Sequence, residues 1–295
     1  MTEFRRVGVL GCGLMGSGIA QVSAAAGYET LVRDVAPEIW TRARASIEKS
    51  LAKFVEKGKL PSGERDATLQ RLSFTTATRD LKGCDIILEA VTEDLALKNV
   101  LWKELDAVCG EPTIFASNTS SLTIAAMAAA TRRGDRFVGL HFFNPVALMA
   151  LVEVVRTVTT SDATYARAFA FARSLGKEPV AAKDASGFLV NLLLVPYLLD
   201  AIRAVERRVG SVADIDRAMQ LGCGYPMGPL TLLDFVGLDT TYQIAEIMFQ
   251  EYREARYAPP PLLKRMVLAG MTGRKSGRGF YDYAADPPRL SELGL

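Results

Sequence analysis

Short apolar runs and amphipathic stretches alternate along roughly the first 190 residues of the chain. The apolar runs, which favour strands, lie at Val7–Leu10, Thr30–Val32, Ile86–Val91, Ile114–Ala116 and Phe137–Phe143, with further candidates at Leu151–Val158 and Pro179–Ala182. The stretches with a helical pattern lie at Ser17–Ala26, Glu38–Lys57, Leu95–Val108 and Leu122–Ala130. Such alternation implies crossover connections, so it predicts a mainly parallel sheet covered by helices on both faces.

Beyond about Gly187 the strand-like runs largely stop and helical patterns dominate. The predicted helices are Leu189–Arg208, Val212–Leu221, Pro229–Val236, Thr240–Tyr252 and Pro261–Leu268. The polar, glycine-containing step Asp184–Gly187 separates the two kinds of pattern and predicts a domain boundary. We therefore predict an α/β domain over residues 1–186, with a helical hairpin inserted at about 38–72, followed by a smaller all-helical domain over residues 187–295.

A glycine-rich loop joins the first predicted strand to the first predicted helix. Gly11 permits the tight turn, Gly13 lets the backbone approach a pyrophosphate, and Gly16 lets the helix pack closely on the strand. The second strand ends at Asp34, whose carboxylate can accept both ribose hydroxyls and would repel a 2′-phosphate. These features predict a Rossmann-type domain that binds NAD. NADP stays an alternative cofactor, because Arg33 beside the carboxylate could accommodate a 2′-phosphate. The predicted contacts here are Gly11, Gly13, Leu14, Met15, Gly16 and Asp34.

Composition narrows the remaining possibilities. The chain has 35 Lys+Arg and 33 Asp+Glu, and this near-neutral balance argues against broad binding to nucleic acid or to a membrane surface. The most apolar stretch, Phe188–Leu199, is interrupted by Asn191 and Pro196 and is shorter than the ~20 residues of a membrane span. A hydrophobic fraction of 49% is enough for a large core, and the length suits two domains.

Cysteine and histidine usage limits metal and redox chemistry. The four cysteines are widely spaced and form no Cys-x-x-Cys motif, so we expect neither a disulfide framework nor a zinc site. This cysteine usage fits a reducing compartment best. The predicted strand that starts soon after Met1 leaves no room for an apolar signal core, so we expect a cytoplasmic location. His141 is the single histidine, which excludes any site that needs two from one chain. We therefore expect no metal.

Four further motifs carry a resemblance to a known family. They are SNTSSL from Ser117, HFFNP from His141, GYPMGP from Gly224 and KSGRGFY from Lys275. Together with the glycine loop they resemble the L-3-hydroxyacyl-CoA dehydrogenase family, including its 3-hydroxybutyryl-CoA members, from Arg6 to about Tyr283. The resemblance implies a Rossmann domain followed by a helical domain that forms a homodimer, with NAD as the cofactor and a short-chain acyl-CoA as the substrate. The pathway stays open among fatty-acid metabolism by β-oxidation, butyrate or polyester metabolism, and aromatic degradation.

The implied reaction is the oxidation of a secondary alcohol, which needs a group to accept the alcohol proton. A histidine with a pKa near neutrality suits this role. His141 ends an apolar strand-like run, and the carboxyl ends of strands are where an open α/β sheet places its ligands. The resemblance implies that Glu153, within the apolar run LVEVV, holds the other ring nitrogen, which would fix the tautomer and stabilise the imidazolium.

Two polar residues are expected to bind the reacting oxygen. Ser120 follows a predicted strand, and its hydroxyl is suited to hydrogen-bond the C3 oxygen of the substrate, whereas Ser121 is better placed to cap the next helix. Asn191 lies in an apolar helix, where an amide needs partners, and the resemblance implies a position near the same oxygen. Leu192 follows it where the family commonly has arginine. That difference puts in doubt a salt bridge or interdomain contact, not the asparagine.

The resemblance implies further cofactor contacts outside the glycine loop. It implies that Glu93 lies near the nicotinamide, that Lys98 lies near the cofactor edge and that Glu89 is structural. It also implies that Asn144 lies on the nicotinamide side and that Lys275 closes over the cofactor. For Glu93, Lys98 and Lys275 a solvated surface position is the open alternative, because charged residues are usually exposed.

A row of lysines lies on one predicted helix. Lys49, Lys53 and Lys57 fall at i, i+4 and i+8, which places them on one face, with Ser50 beside them. Such a row is suited to bind the phosphates of coenzyme A, and the resemblance implies that role for Ser50 and Lys57. An ordinary solvated face is the alternative.

Two other functions remain open at this stage. One is a related dehydrogenase of a free hydroxy acid, of the gulonate type, against which the HFFNP motif and the lysine row argue. The other is a non-enzymatic NAD-sensing protein, which would need the glycine loop but not Ser120, His141, Glu153 and Asn191 together. The sequence is too short to carry an additional complete hydratase domain, so we expect a monofunctional enzyme. Acyl chain length, pathway and oligomeric state are not fixed by the sequence.

Overall fold

The computed structural model describes residues 4–294, which divide into two compact units between Phe188 and Leu189. The predicted boundary at residues 186 and 187 lies two residues before this division. The strands of the first unit are β1 (Arg6–Leu10), β2 (Glu29–Arg33), β3 (Leu72–Thr75), β4 (Ile86–Glu89), β5 (Ile114–Ser117), β6 (Phe137–Phe142), β7 (Leu151–Arg156) and β8 (Glu178–Lys183). Its helices are α1 (Leu14–Ala25), α2 (Pro37–Glu56), α3 (Ser62–Gln70), α4 (Leu95–Val108), α5 (Ile124–Ala128) and α6 (Asp162–Ser174).

All eight strands form one sheet in the order β3-β2-β1-β4-β5-β6-β7-β8. Every neighbouring pair is parallel except β6 and β7, which are antiparallel. The predicted Rossmann-type, mainly parallel sheet is therefore confirmed. The strand order reverses between β1 and β4, and in such sheets ligands bind at the carboxyl ends of the strands around that point.

Side-chain alternation along the central strands builds an apolar layer on each face of the sheet. Ile86 and Leu88 of β4 pack into the layer that also contains Ile19 of α1, whereas Ile87 packs into the opposite layer. Trp102 of α4 anchors that second layer, with its ring centroid 4.9 Å from that of Phe115 and 4.8 Å from that of Phe137. Burial of both faces explains why these strands read as unbroken apolar runs.

The second unit is mainly helical, as predicted. It contains α7 (Val190–Glu206), α8 (Val212–Cys223), α9 (Pro229–Val236), α10 (Leu238–Tyr252), α11 (Pro261–Leu268) and the two-stranded hairpin β9 (Tyr281–Asp282) with β10 (Arg289–Leu290). The buried carboxylate of Asp234 in α9 accepts hydrogen bonds from the backbone amides of Phe280 and Tyr281 and so fixes the entry to the hairpin. Strands of two residues carry no periodicity, so the prediction of an all-helical domain missed them.

Two elements of the first unit were also not predicted. The edge strand β3 is half-exposed, and α6 has apolar residues scattered among polar ones, so neither has a clean period. The predicted helix Leu122–Ala130 is shorter, because regular structure begins only at Ile124. Within residues 4–294, no helix combines the length and apolarity that crossing a bilayer requires.

Candidate active site

The glycine loop between β1 and α1 has the geometry that close approach to a phosphate requires. Gly11 has φ +92°, and a Cβ there would lie 2.8 Å from the carbonyl oxygen of Ala90. A Cβ at Gly16 would lie 1.9 Å from the carbonyl oxygen of Gly11, so only glycine lets α1 begin so close to β1. Gly13 is exposed and faces open space. The loop therefore fits a dinucleotide pyrophosphate at the start of α1.

Asp34 follows β2 and is bound to the same loop. Its Oδ2 accepts a hydrogen bond from the backbone amide of Cys12 at 2.7 Å, and its Oδ1 accepts one from the amide of Val35 at 2.7 Å. Each carboxylate oxygen can accept further bonds, so this position fits a ribose diol. Burial, reinforced by the nearby carboxylate, raises the pKa of the Cys12 thiol to about 12 and keeps it neutral.

His141 on β6 and Glu153 on β7 are direct partners across the antiparallel pair. The Nδ1 of the imidazole lies 2.6 Å from Oε2 of the carboxylate, and both residues are buried. The imidazole also contacts two aromatic rings, with centroid distances of 4.4 Å to Phe143 and 5.6 Å to Phe188. In a neutral imidazole whose Nδ1–H donates to Glu153, the lone pair lies on Nε2.

Glu93 organises the turn that carries Ser120. Its Oε1 accepts hydrogen bonds from the Thr119 hydroxyl, from the backbone amide of Ser120 at 3.2 Å and from the Ser121 hydroxyl at 3.1 Å. Its Oε2 lies 3.2 Å from Nζ of Lys98. Burial alone would raise the pKa of Glu93, but the charge of Lys98 and the Thr119 hydrogen bond outweigh it and hold that pKa below its ordinary value.

Lys98 is buried between two carboxylates, with only 1% of its surface exposed. Its Nζ lies 2.5 Å from Oε1 of Glu89, whose other oxygen accepts a hydrogen bond from the Ser117 hydroxyl at 2.6 Å. The fully buried Glu89 also accepts the backbone amide of Val91. The alternative of a solvated surface position is therefore wrong for Lys98. Lys98 ties the ends of β4 and β5 to the Glu93-bound turn.

The lysine row, with Lys49 and Lys53 on α2 and Lys57 directly after it, faces an open groove in the first unit. The groove has a volume of about 390 Å³, and its basic wall contains Lys49, Ser50, Lys53 and Lys57. Its opposite wall comes from the loop between β6 and β7, through Pro145, Ala147 and Leu148. The lysines are exposed, so the groove combines positive charge with an apolar surface.

A buried lysine holds the apolar wall of this groove. Lys177 is 7% exposed, and its ammonium donates hydrogen bonds to the carbonyl oxygens of Val146 at 2.5 Å and Met149 at 2.8 Å. Burial lowers the pKa of Lys177. In the same loop Asn144 is exposed directly after the His141 strand. No local pattern marked Lys177 in the sequence, because its two partners lie about 30 residues away.

Asn191 and Lys275 are the predicted site residues that belong to the second unit. Asn191 and Leu192 lie in the first turn of α7, and both are partly exposed. Lys275 lies in a short helical turn, with its Nζ 2.7 Å from Oδ2 of Asp239. That ion pair fixes the lysine beside Gly237, at the start of α10.

Two residues of the predicted boundary segment are part of the first unit's hydrogen bonding. Asp184 accepts the backbone amides of Ile124 and Ala125, both at 2.7 Å, and so caps α5. The prediction that Ser121 caps this helix is wrong, since the serine hydroxyl donates to Glu93 instead. Ser186 is buried and donates a hydrogen bond to the backbone carbonyl of Ser121 at 2.8 Å. Contacts between residues some 60 positions apart cannot be recognised from local sequence patterns.

A glycine loop, an acidic end to the second strand and a buried histidine–carboxylate pair on one Rossmann-type sheet define a nicotinamide-dependent dehydrogenase. The 3-hydroxyacyl-CoA dehydrogenase NAD-binding domain matches residues 6–185, and the C-terminal domain of the same family matches residues 187–283. The chain therefore belongs to the 3-hydroxyacyl-CoA dehydrogenase family. Its cofactor is NAD, and its reaction is the NAD-dependent oxidation of a 3-hydroxyacyl-CoA.

Individual relatives agree with this assignment. A 3-hydroxybutyryl-CoA dehydrogenase of Mycobacterium tuberculosis is 53% identical, over 95% of this chain and 98% of the relative. The crystal structure of FadB2 from M. tuberculosis has a TM-score of 0.93 and 52% identity, over 95% of this chain and 99% of that chain. The (S)-3-hydroxybutyryl-CoA dehydrogenase PaaH1 from Ralstonia eutropha has a TM-score of 0.92 and 42% identity, over 96% and 100% of the two chains.

Proposed function

We propose that this chain oxidises a short-chain L-3-hydroxyacyl-CoA, with 3-hydroxybutyryl-CoA as the expected substrate, and that His141 is the general base. The observation that carries the proposal is the buried contact of 2.6 Å between Nδ1 of His141 and Oε2 of Glu153. The names of the bacterial relatives support the short acyl chain.

Glu153 prepares the imidazole for proton transfer. With Nδ1–H donating to the carboxylate, the neutral imidazole is proposed to accept the proton of the substrate alcohol at Nε2. The imidazolium that results is stabilised by a carboxylate that water does not screen, since Glu153 is fully buried. NAD, when bound, supplies the hydride acceptor. In the reverse direction the same Nε2 would return the proton to the C3 oxygen.

Ser120 is proposed to hydrogen-bond the C3 oxygen as the alcohol becomes a ketone. Support comes from the turn itself, whose backbone amide and neighbouring hydroxyls are held by Glu93. A hydroxyl on a fixed turn loses little freedom when it binds, so it stabilises the reacting geometry efficiently. Asn191 is proposed to bind the same oxygen, and this assignment is supported by family membership.

The cofactor assignments follow from the shape of the loop and from family membership. They are Gly11, Gly13, Leu14, Met15, Gly16, Asp34, Glu93, Lys98, Asn144 and Lys275. The burial of Lys98 supports an indirect role, in which it holds Glu93 rather than meeting the cofactor with an exposed ammonium. The carboxylate of Asp34 supports NAD over NADP, because a 2′-phosphate would meet like charge there.

The groove along α2 is proposed to bind the coenzyme A part of the substrate. Its lysines provide positive charge for phosphate groups, with Ser50 and Lys57 as the assigned contacts. The opposite wall, formed by Pro145, Ala147 and Leu148, suits a less polar part of the molecule. That wall immediately follows the strand that carries His141, so an occupant of the groove lies on the route to the imidazole.

A comparison of thioester and free acid tests the proposed substrate. NADH oxidation is measured with acetoacetyl-CoA, with free acetoacetate and with 3-ketoacyl-CoAs from C4 to C16. We expect the highest kcat/KM for the C4 thioester and at least 100-fold less for the free acid. Preference for the free acid would instead identify a hydroxy-acid dehydrogenase, and absence of turnover across the series would identify a protein that only binds NAD.

We also propose that the chain is a cytoplasmic homodimer that acts in fatty-acid metabolism of the β-oxidation type. The helical unit exposes the large apolar side chains of Leu193, Leu221 and Leu268, which supports a contact between copies. The cysteines among the described residues are all free thiols, which supports a reducing compartment. Sedimentation equilibrium is expected to give twice the chain mass, and a monomer at micromolar concentration would contradict the dimer.

A further inference from the structure

The segment Asp184–Phe188 touches both proposed catalytic elements of the first unit just before the chain leaves it. At one end of the segment Asp184 caps α5, and Ser186 hydrogen-bonds the carbonyl oxygen of Ser121. At its other end the ring of Phe188 lies 5.6 Å from the imidazole of His141, at an angle of 57°. The side chains of one short segment thus contact the serine turn and the histidine together.

We propose that Phe188 and Ser186 are positioning residues for the reaction. Phe188 fixes the plane of the His141 imidazole, and Ser186 fixes the turn that presents Ser120. The inference rests on the roles proposed above for the histidine and the serine. Neither residue was singled out by the motifs or by spacing.

The imidazole needs a second restraint because Glu153 holds only one of its atoms. A ring that is bonded at Nδ1 alone can still tilt about that bond, and a tilt moves Nε2 away from the substrate proton. Phe143 and Phe188 both contact the ring, so they limit this tilt. Displacements of about 1 Å at a reacting atom lower rates strongly. The two aromatic contacts therefore restrict the tilt of the imidazole, which the hydrogen bond to Glu153 alone does not fix.

The backbone shows that Phe188 is held firmly in place. It has φ +48°, in the left-handed region that a phenylalanine rarely adopts, directly after Gly187 at φ +83°. Such a conformation persists only where the surrounding structure enforces it. Here the side chain is 2% exposed and packs in the same apolar layer as Phe115 and Phe137. A side chain held in this way is a rigid stop for the imidazole.

The serine turn is restrained from two sides in a similar manner. Glu93 binds the amide of Ser120 and the hydroxyl of Ser121, whereas Ser186 binds the carbonyl of Ser121. Ser186 is 1% exposed, so its hydrogen bond is made in a dry environment where an unpaired carbonyl would be costly. Loss of the Ser186 hydroxyl therefore removes the restraint on the Ser121 carbonyl and leaves the contacts with Glu93 in place.

The single histidine allows a direct test of the Phe188 role. In the full chain, ¹⁵N NMR of the imidazole reports the tautomer and the titration of His141 without overlap from another histidine. Phe188→Leu keeps an apolar side chain but removes the flat ring. We expect kcat to fall about tenfold with an unchanged KM for NADH, together with a second tautomer or a moved titration midpoint.

Phe171→Leu is the matched control, because Phe171 is fully buried in α6 and packs against Phe4 and Tyr28. It is expected to lower the melting temperature while the His141 signals and kcat stay normal. Phe188→Met, with an unbranched side chain, replaces Phe188→Leu if that variant does not fold. Normal His141 signals and normal kcat in a folded Phe188 variant would overturn the proposal for this residue.

A double-mutant cycle tests Ser186. Ser186→Ala is expected to lower kcat three- to tenfold without moving the His141 titration, and to have no further effect in a Ser120→Ala background. Effects that multiply would show that Ser186 acts independently of Ser120 and would overturn its assigned role. Failure of the proposed function is distinguishable, since it would appear as absent turnover in the unmodified chain, whereas the NMR comparison needs no substrate.

Discussion

The ammonium of Lys98 lies 2.5 Å from the carboxylate of Glu89, and both side chains are excluded from water. A second carboxylate, that of Glu93, lies 3.2 Å from the same ammonium. One cation therefore pairs with two acidic side chains beside the turn that carries Ser120. Removing it would leave buried negative charge without a partner, which is far more costly than losing an exposed ion pair.

Lys98→Met is accordingly expected to lower the free energy of unfolding by about 3–5 kcal/mol. Urea denaturation measures this loss. Lys103→Met, at an exposed position on the same helix, is the control and should change stability by less than about 0.5 kcal/mol. Adding Glu89→Gln to Lys98→Met should recover part of the loss, and the absence of any recovery would contradict the charge argument.

The pair of His141 and Glu153 leads to a kinetic prediction. His141→Ala should lower kcat more than about 100-fold while NAD affinity is nearly kept, because the variant removes the proposed proton acceptor and none of the proposed cofactor contacts. Glu153→Gln should also lower kcat, since a neutral amide cannot stabilise the imidazolium. Stopped-flow turnover and NADH fluorescence titration check the two quantities. Near-normal turnover in His141→Ala would remove the histidine from the mechanism.

Glu93 gives the stability a defined pH dependence. Its pKa in the folded protein lies below the ordinary value of 4.5, so its ionised form stabilises the fold. This contribution is fully present above 4.5 and is lost as the pH falls through the lower folded value. The stability difference between the unmodified chain and Glu93→Gln should therefore shrink below pH 4.5. Glu104→Gln, exposed on α4, should show no such trend in urea titrations.

Lys177 allows the wall of the groove to be loosened selectively. Lys177→Met removes the donors to the carbonyls of Val146 and Met149 and leaves both without that partner. The KM for acetoacetyl-CoA should rise severalfold, whereas the KM for NADH should not change. Lys183→Met, exposed on β8, serves as the control. Equal increases in both KM values would show a general loss of structure instead.

The lysine row predicts a salt-dependent affinity for the thioester. Replacing Lys49, Lys53 and Lys57 together by glutamine should raise the KM for acetoacetyl-CoA at least tenfold at low ionic strength. The difference from the unmodified chain should narrow as salt is added, because these side chains are exposed. Steady-state kinetics at several salt concentrations check this. An unchanged KM would show that the three lysines form an ordinary solvated face and do not bind the substrate.

Sequence patterns predicted the parts of the fold that depend on local order. The central strands were predicted because burial on both faces makes them apolar runs, and the glycine loop because each glycine answers a local steric need. The contacts of Lys98 and Lys177 were not predicted, since a charged residue is normally exposed and its burial depends on distant partners. The sequence places Asp184 in a polar domain boundary and gives no sign of its role as a cap, because the helix that its carboxylate caps begins 60 residues earlier.

The register of the antiparallel strands β6 and β7 determines whether His141 and Glu153 face each other. His141 and Glu153 face each other on the same side of the sheet, and successive side chains of a strand point to opposite sides. One residue inserted within β7 ahead of Glu153 would turn its carboxylate to the far side. A longer loop over residues 143–150 would preserve the facing. The facing of this pair therefore tolerates a change in the length of the return loop, but it does not tolerate a single insertion within β7.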